Sequence, residues 1–154
     1  VATPEGASFL LRPVQDSDVR FISETWRRHY ELSPIVQVQK QDGGMTDEMY
    51  RKRQDVLIGR LLGGESALVA AAPDDPTFLY GWLCGLSDPI TGIVWIHYAF
   101  VKSEFRRHGI FRALLAALGA DQAEAPQIFY THMPPNVGIL RHHPAWKHLP
   151  LELR

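Results

Sequence analysis

Between residues 66 and 101 three apolar runs alternate with two short breaks, and this pattern limits the fold more than any other feature. "SALVAAA" (66–72), "TFLYGWLCGL" (77–86) and "GIVWIHYAFV" (92–101) have strand composition, and "PDDP" and "SDPITG" between them are turn sequences. Connections this short join sheet neighbours, so an antiparallel meander is expected. A sheet must bury its apolar faces against another layer, and the flanking segments supply one. "SFLLRPV" (8–14) reads as a first strand. "DSDVRFISETWRRHY" (16–30) opens with the cap residues Asp16 and Ser17 and sets Val19, Ile22 and Trp26 on one helical face. The stretch 31–44, with Pro34 and a glycine pair, is expected to be irregular. A second helix, capped by Thr46 and stopped by Gly63 and Gly64, would bury Met49, Val56, Leu57, Leu61 and Leu62.

After the meander, residues 109–119 read as a helix that is apolar nearly all round and therefore sandwiched. "QIFYTHM" (127–133) reads as a strand, Asn136 as the cap of a short helix ended by Pro144, and 149–153 as a last strand. The order β-α-α-β-β-β-α-β-(α)-(β) is that of an α/β (α+β) chain. It implies a mixed, mostly antiparallel sheet flanked by helices. The 154 residues are one domain's worth, so 1–154 is taken as a single domain.

A net charge of -1 gives no general pull toward nucleic acid or acidic membranes. No apolar run is long enough to span a bilayer, and "VATPEGASF" lacks the basic and apolar regions of a signal peptide. Cys84 is the one cysteine, which fits a reducing cytoplasm, and its setting in "GWLCGL" is that of a small buried hydrophobe. The histidines in "RHHPAWKH" do not make a metal site, because adjacent His142 and His143 diverge on a helix and no cysteine or carboxylate stands at ligand spacing.

Against this neutral background, "VKSEFRRHGIFRALLAAL" (101–118) concentrates Lys102, Arg106, Arg107 and Arg112 against Glu104 alone, where a strand turns into a helix. The first turn of a helix offers unpaired N–H groups and the positive end of the macrodipole, and a glycine lets a phosphate approach the main chain. A solvated basic turn is the plain alternative.

This stretch resembles the acetyl-coenzyme A signature of the GNAT superfamily of N-acyltransferases. There an apolar strand runs into Arg/Gln-x-x-Gly-x-Gly/Ala at the start of a helix. "RRHGIF" fills those six places here, with Arg106 first, Gly109 as the first glycine and "RALLAAL" as the following helix. The N-terminal "LLRPVQDSDVRFI" is also how such domains commonly begin, so the resemblance spans residue 8 to about 143. Phe111 departs from the pattern, since the motif has a small residue in that place.

The resemblance implies a V-shaped cleft between the fourth and fifth strands, acetyl-coenzyme A as cofactor, and a primary amine on a small molecule or peptide as acceptor. The diphosphate would rest on Arg106, Arg107, His108, Gly109, Ile110, Phe111 and Arg112, and the pantetheine arm would run beside Ala99, Phe100 and Val101. A bulge there commonly splays the strands and exposes an amide for the oxyanion. Asn136 corresponds to a residue that often binds the cofactor arm, and His143 falls where the family places a tyrosine general acid.

Acyl transfer to an amine also needs a proton acceptor, because alkyl ammonium groups titrate near ~10.4. Some family members carry a histidine at the place of His97, and an imidazole titrating near ~6.5 can accept a proton at physiological pH. In a regular strand Tyr98 faces away from His97; a bulge would cancel that parity. Tyr130 and His132, two apart, should share a face, and either could complete a relay. Trp26, His29 and Tyr30 are the candidate acceptor-binding residues, with core packing as the alternative for each.

Two rivals remain. One is a non-catalytic acyl-coenzyme A-binding module, which Phe111 and the missing tyrosine favour. The other is a transferase acting on nucleic-acid bases, for which Arg20, Arg27, Arg28, Arg51, Lys52 and Arg53 offer some basic surface and against which the net charge argues. A homodimer through an exposed sheet edge stays open.

Overall fold

A computed structural model describes residues 8–64, 66–119 and 128–132, and the backbone of 146–148. Six strands form one sheet in chain order: β1 (Leu10–Pro13), β2 (Ser66–Ala71), β3 (Leu79–Ser87), β4 (Val94–Val101), β5 (Ile128–Tyr130) and β6 (Trp146–His148). β1 to β4 pair antiparallel, β2 to β4 as their short turns require, whereas β5 lies parallel to β4 and β6 parallel to β5. The helices are α1 (Val19–Glu31), α2 (Pro34–Gln41), α3 (Asp47–Gly64) and α4 (Ile110–Leu118).

Each face of the sheet carries its own core. On one, Leu83, Val94, Ile96, Ile128 and Tyr130 meet Ile110, Leu114 and Leu118 of α4. On the other, Val69, Trp82, Cys84 and Tyr98 meet Ile22 and Trp26 of α1 and Ile58 and Leu61 of α3. The Trp26 ring lies 5.3 Å from Trp82 and stacks on Tyr98 at 5.7 Å, and aromatic pairs of this kind add about 0.5–1.5 kcal/mol each beyond burial.

Four expectations need correction. Residues 34–41 are helical, because Pro34 sits at a first-turn position where its missing N–H and fixed φ suit a helix start. α1 is not anchored by Asp16 or Ser17. The buried Asp18 accepts the Gln15 N–H at 2.8 Å and pairs with Arg12 at 2.6 Å, tying the helix entry to β1. α3 starts at Thr46 as expected, with Met49 N–H donating to the Thr46 hydroxyl at 3.2 Å. Its buried stripe, however, is Tyr50, Gln54, Ile58 and Leu61, while Met49 and Val56 are exposed. The Tyr50 hydroxyl donates to the Arg27 carbonyl at 2.8 Å, and that contact with α1 fixes the helix's rotation. α4 packs through one stripe and leaves Arg112 and Ala117 exposed, so among the described residues it is not sandwiched. The helix and strand expected over 136–144 and 149–153 lie outside the described residues.

Candidate active site

β4 changes character halfway along. From Ala99 back to Tyr98 it pairs residue for residue with Leu83 and Cys84, but Gly85 then faces Ile96. The extra residue is His97, a β-bulge. Gly85 is what permits it: a Cβ there would stand 2.3 Å from the Trp95 carbonyl oxygen and 2.9 Å from Leu118 Cδ2. The bulge reverses the facing of everything after it. Val94 and Ile96 point to α4, yet so do Ala99 and Val101, while Tyr98 and Phe100 turn to α1. The parity argument separating Tyr98 from His97 therefore does not apply.

The other edge of β4 opens at the same place. β5 pairs only with Val94, Trp95 and Ile96, and the last rung is Thr131 N–H to the Ile96 carbonyl at 2.9 Å. Past it, β4 runs on to Val101 with no partner strand on that side among the described residues. Lys102 N–H goes to the Tyr80 carbonyl, so by alternation the N–H and C=O groups of Ala99 and Val101 turn to the open edge. Arg106 leans across it, its Nε donating to the Val101 carbonyl at 3.0 Å. This is the cleft between the fourth and fifth strands.

At its base three buried polar side chains meet. His97 Nδ1 lies 2.8 Å from Thr131 Oγ1, which lies 3.0 Å from His132 Nδ1. The three are 1%, 6% and 5% exposed. The chain bends at residues 131–132, because β5 ends at Tyr130. Tyr130 consequently packs on the α4 face, whereas the His132 ring faces Tyr30 at 4.9 Å and Trp26 at 5.4 Å on the α1 face. The two do not share a face, contrary to the strand-period argument, and His132 is linked to His97 through Thr131. Tyr98 borders the same group, and burial, with Tyr30 adding to it, pushes its phenol well above the ordinary value. It stays protonated and can only donate or accept as a neutral hydroxyl.

Of the candidate acceptor residues, Trp26 is fully enclosed beneath Tyr98 and His132, whereas His29 and Tyr30 are half-buried. The His29 ring lies 4.8 Å from Phe100. Burial first, then the charges of Arg106 and Arg28, hold its pKa below the usual imidazole value.

The strand-to-helix junction is rigidly mounted. Phe105 stacks on Tyr80 at 4.0 Å, and Lys102 sits over the Phe78 ring at 4.2 Å, so this lysine is engaged in a cation–π contact. Arg107 has φ 67 and Gly109 φ 79, both left-handed. For an arginine that conformation costs about 1–2 kcal/mol. α4 then begins, its first rung running from Ala113 N–H to the Gly109 carbonyl at 3.0 Å, and no described side chain caps it. The amides of Ile110 and Arg112 precede that rung. The space where a Gly109 Cβ would stand is open, and Phe111 packs against the α4-side core. The departure at 111 thus leaves the approach to the helix start clear. A glycine-led helix start with Arg106, Arg107 and Arg112 exposed beside it fits a diphosphate. Asn136 and His143 lie outside the described residues. Among the described residues, no three His, Cys, Asp or Glu side chains converge as a metal site, and no helix is long and apolar enough to cross a membrane.

Thr131 as the link between His97 and His132 escaped the sequence reading, although His132 itself was named there as one of two residues that could complete a relay. The one available signal was Gly85, which a regular central strand does not need.

No family model and no curated protein matches the chain. Solved structures do. It is similar to a protein described as histone acetyltransferase HPA2 and related acetyltransferase, from Corynebacterium glutamicum (16% identity, TM-score 0.59, covering 88% of this chain and 82% of that one). An acetyltransferase from Pyrococcus furiosus gives 17% identity and TM-score 0.53, with 86% and 87% covered. A ribosomal-protein-alanine N-acetyltransferase from Brucella melitensis gives 18% and 0.50, with 87% and 88% covered. At these identities the similarity is one of fold, the fold that these acetyltransferases share.

Proposed function

We propose that this chain, acting as a single domain, is an N-acyltransferase that moves an acetyl or other acyl group from coenzyme A to a primary amine of a small molecule or peptide. The observation that carries the reading is the coincidence of three features within fifteen residues: the bulge at His97, the open edge of β4 that starts there, and the uncapped helix start at Gly109 to which the edge leads. A strand edge offers an amide-bearing arm the hydrogen bonds a neighbouring strand would make. A helix start offers its N–H groups to phosphate.

When bound, acetyl-coenzyme A supplies the acyl thioester. The chain's own residues do the rest. Ile110 and Arg112 amides, with Arg106, Arg107 and Arg112 side chains, would hold the diphosphate, and Ala99 and Val101 would orient the arm. Arg106, whose Nε donates to the Val101 carbonyl, would find in a phosphate a stronger, charge-assisted partner. His97, buried at the base of the cleft, takes the proton from the amine, and Tyr98 offers a neutral hydroxyl beside it. His29 and Tyr30 form the acceptor's side of the opening.

The test is release of free coenzyme A across a panel of amines, run beside thermal stabilisation by acetyl-coenzyme A. Stabilisation with release for at least one acceptor is expected. Absence of any stabilisation overturns the reading, and stabilisation without release for every amine replaces it with the binding-module alternative.

A further inference from the structure

The arginines of α1 divide into two kinds. Arg20 pairs with Glu24 and Arg27 with Asp55, whereas Arg28 is exposed and makes no ion pair among the described residues. Next to it, His29 lays its ring 4.8 Å from Phe100, and Phe21 meets the same Phe100 ring at 6.1 Å. Two further cations reach this half-buried aromatic floor from the end of β4. Arg106 Nε donates to the Val101 carbonyl at 3.0 Å, and Lys102 Nζ stands 5.2 Å from the centre of the Phe21 ring. Glu104, beside Lys102 and Arg106, is exposed and accepts from the Ser103 hydroxyl at 2.9 Å. One carboxylate against Arg28, Lys102 and Arg106 leaves the patch positive. The His29 imidazole registers that excess: after burial, the charges of Arg106 and Arg28 are what hold its pKa down.

We propose that Arg28 is a specificity-determining residue which, with His29, binds a carboxylate carried by the acceptor. This rests on the proposed acyl transfer, with the reacting amine at His97. A guanidinium matches a carboxylate with two parallel N–H donors, and a half-buried setting makes such a bond stronger than it is in water. Arg106 is the cation of this patch that the diphosphate would draw away; Arg28, on the opposite wall, is left for the acceptor.

The spacing defines the class of amine. His97 and Phe100 are three residues apart on β4, about 10 Å at strand rise. The Arg28 side chain shortens that gap but does not close it. An α-amino acid, with its amine and carboxylate on one carbon, is too short to touch both ends. An amine separated from its carboxylate by about five methylenes spans most of the distance, and its apolar stem would lie along the Phe100 ring. The preferred acceptor is therefore an ω-amino acid, or a lysine side chain whose own carboxylate is free.

Two measurements on the full chain test this. In the coenzyme A release assay, 6-aminohexanoate should exceed hexylamine in kcat/KM by about tenfold or more. Arg28→Gln should remove most of that preference, Arg28→Lys should recover part of it, and the KM for acetyl-coenzyme A should stay within about twofold. A preference that survives in Arg28→Gln would overturn the proposal, since a residue that only steadies the end of α1 does not discriminate between amines. A rise in the KM for acetyl-coenzyme A matching the loss with 6-aminohexanoate would also overturn it, by assigning Arg28 to the phosphates of the cofactor. The second measurement needs no turnover. NMR titration of His29 with 6-acetamidohexanoate should raise the imidazole pKa, because the bound carboxylate offsets the arginines. N-hexylacetamide should leave it unchanged, and Arg28→Gln should abolish the rise. No rise with the acid, or a rise produced by coenzyme A and not by the acid, would end the proposal. A chain that releases no coenzyme A with either amine counts against the acyl transfer itself and leaves the titration to decide the carboxylate site.

Discussion

The two halves of β4 are built from similar residues and have different neighbours. Val94, Trp95 and Ile96 have a strand on each side, and their side chains either enter the α4-side core or, for Trp95, stack on Phe129. From His97 to Val101 the strand keeps β3 but loses β5, so its second edge is open. Nothing in hydrophobicity marks the change: "VWI" and "YAFV" are equally apolar. What separates them is one inserted residue. The bulge turns the following side chains to opposite faces, lets β5 end, and leaves main-chain groups without a rung. In the proposed function, the strand becomes a binding edge by losing a neighbour.

The strongest way to break this comparison is at the inserted residue. His97→Ala should reduce kcat by about 10²–10⁴-fold, the usual worth of a positioned proton acceptor, with acetyl-coenzyme A affinity nearly unchanged. Equal loss of turnover and affinity would make His97 a packing residue and erase the functional difference between the halves. One residue earlier the expectation is reversed. Ile96→Ala, at a site 4% exposed, should cost about 2–5 kcal/mol of stability in denaturant unfolding, with turnover retained by the folded fraction. A large catalytic defect in that folded fraction would show that the boundary does not fall at the bulge.

Gly109→Val tests where the open edge leads. The space at its Cβ is empty, so the cost to the fold is that of a branched residue at φ 79, about 1–3 kcal/mol. The larger expected consequence is a tenfold or greater loss of acetyl-coenzyme A affinity by calorimetry, since a side chain would stand between phosphate and amides (on the order of 1.4 kcal/mol). Unchanged affinity would put the diphosphate elsewhere.

The smallest effect is electrostatic. His29 has a folded pKa below its unfolded value, through burial first and then Arg106 and Arg28. The unfolded chain therefore binds the proton more readily. The neutral form's advantage is fully present above about pH 6.5 and is lost as pH falls through the folded pKa. Thermal melts from pH 7.5 downward should show this loss, and His29→Phe should reduce it. An identical pH dependence in the variant would disconnect His29 from the basic junction.

Much of the fold was legible because it is written in local periodicity. The meander followed from three apolar runs and two turns, α4 from its glycine start, and α3 from Thr46. The α2 helix was missed because Pro34 was read as a break, although a proline also starts helices. The face of α3 was misjudged because its sequence holds two apolar stripes. Only the Tyr50 bond to Arg27 and the packing of Ile58 and Leu61 choose between them. At the site, the position of His97 and the glycine-led helix start were visible in the chain. The separation of Tyr130 from His132 was not, because a strand's period says nothing after the strand has ended.

By itself the sequence determined the order of elements, the charged junction at 102–112 and the histidine ahead of it, since each depends on residues close along the chain. Tertiary structure alone decided that His97 is the extra residue in β4, that Thr131 bridges it to His132, and that Phe111 turns into the core. These depend on strand register and helix rotation, which are fixed by contacts between residues as much as a hundred positions apart, such as Trp26 with His132. Side chains that meet only after the sheet has closed leave no period in the sequence to read.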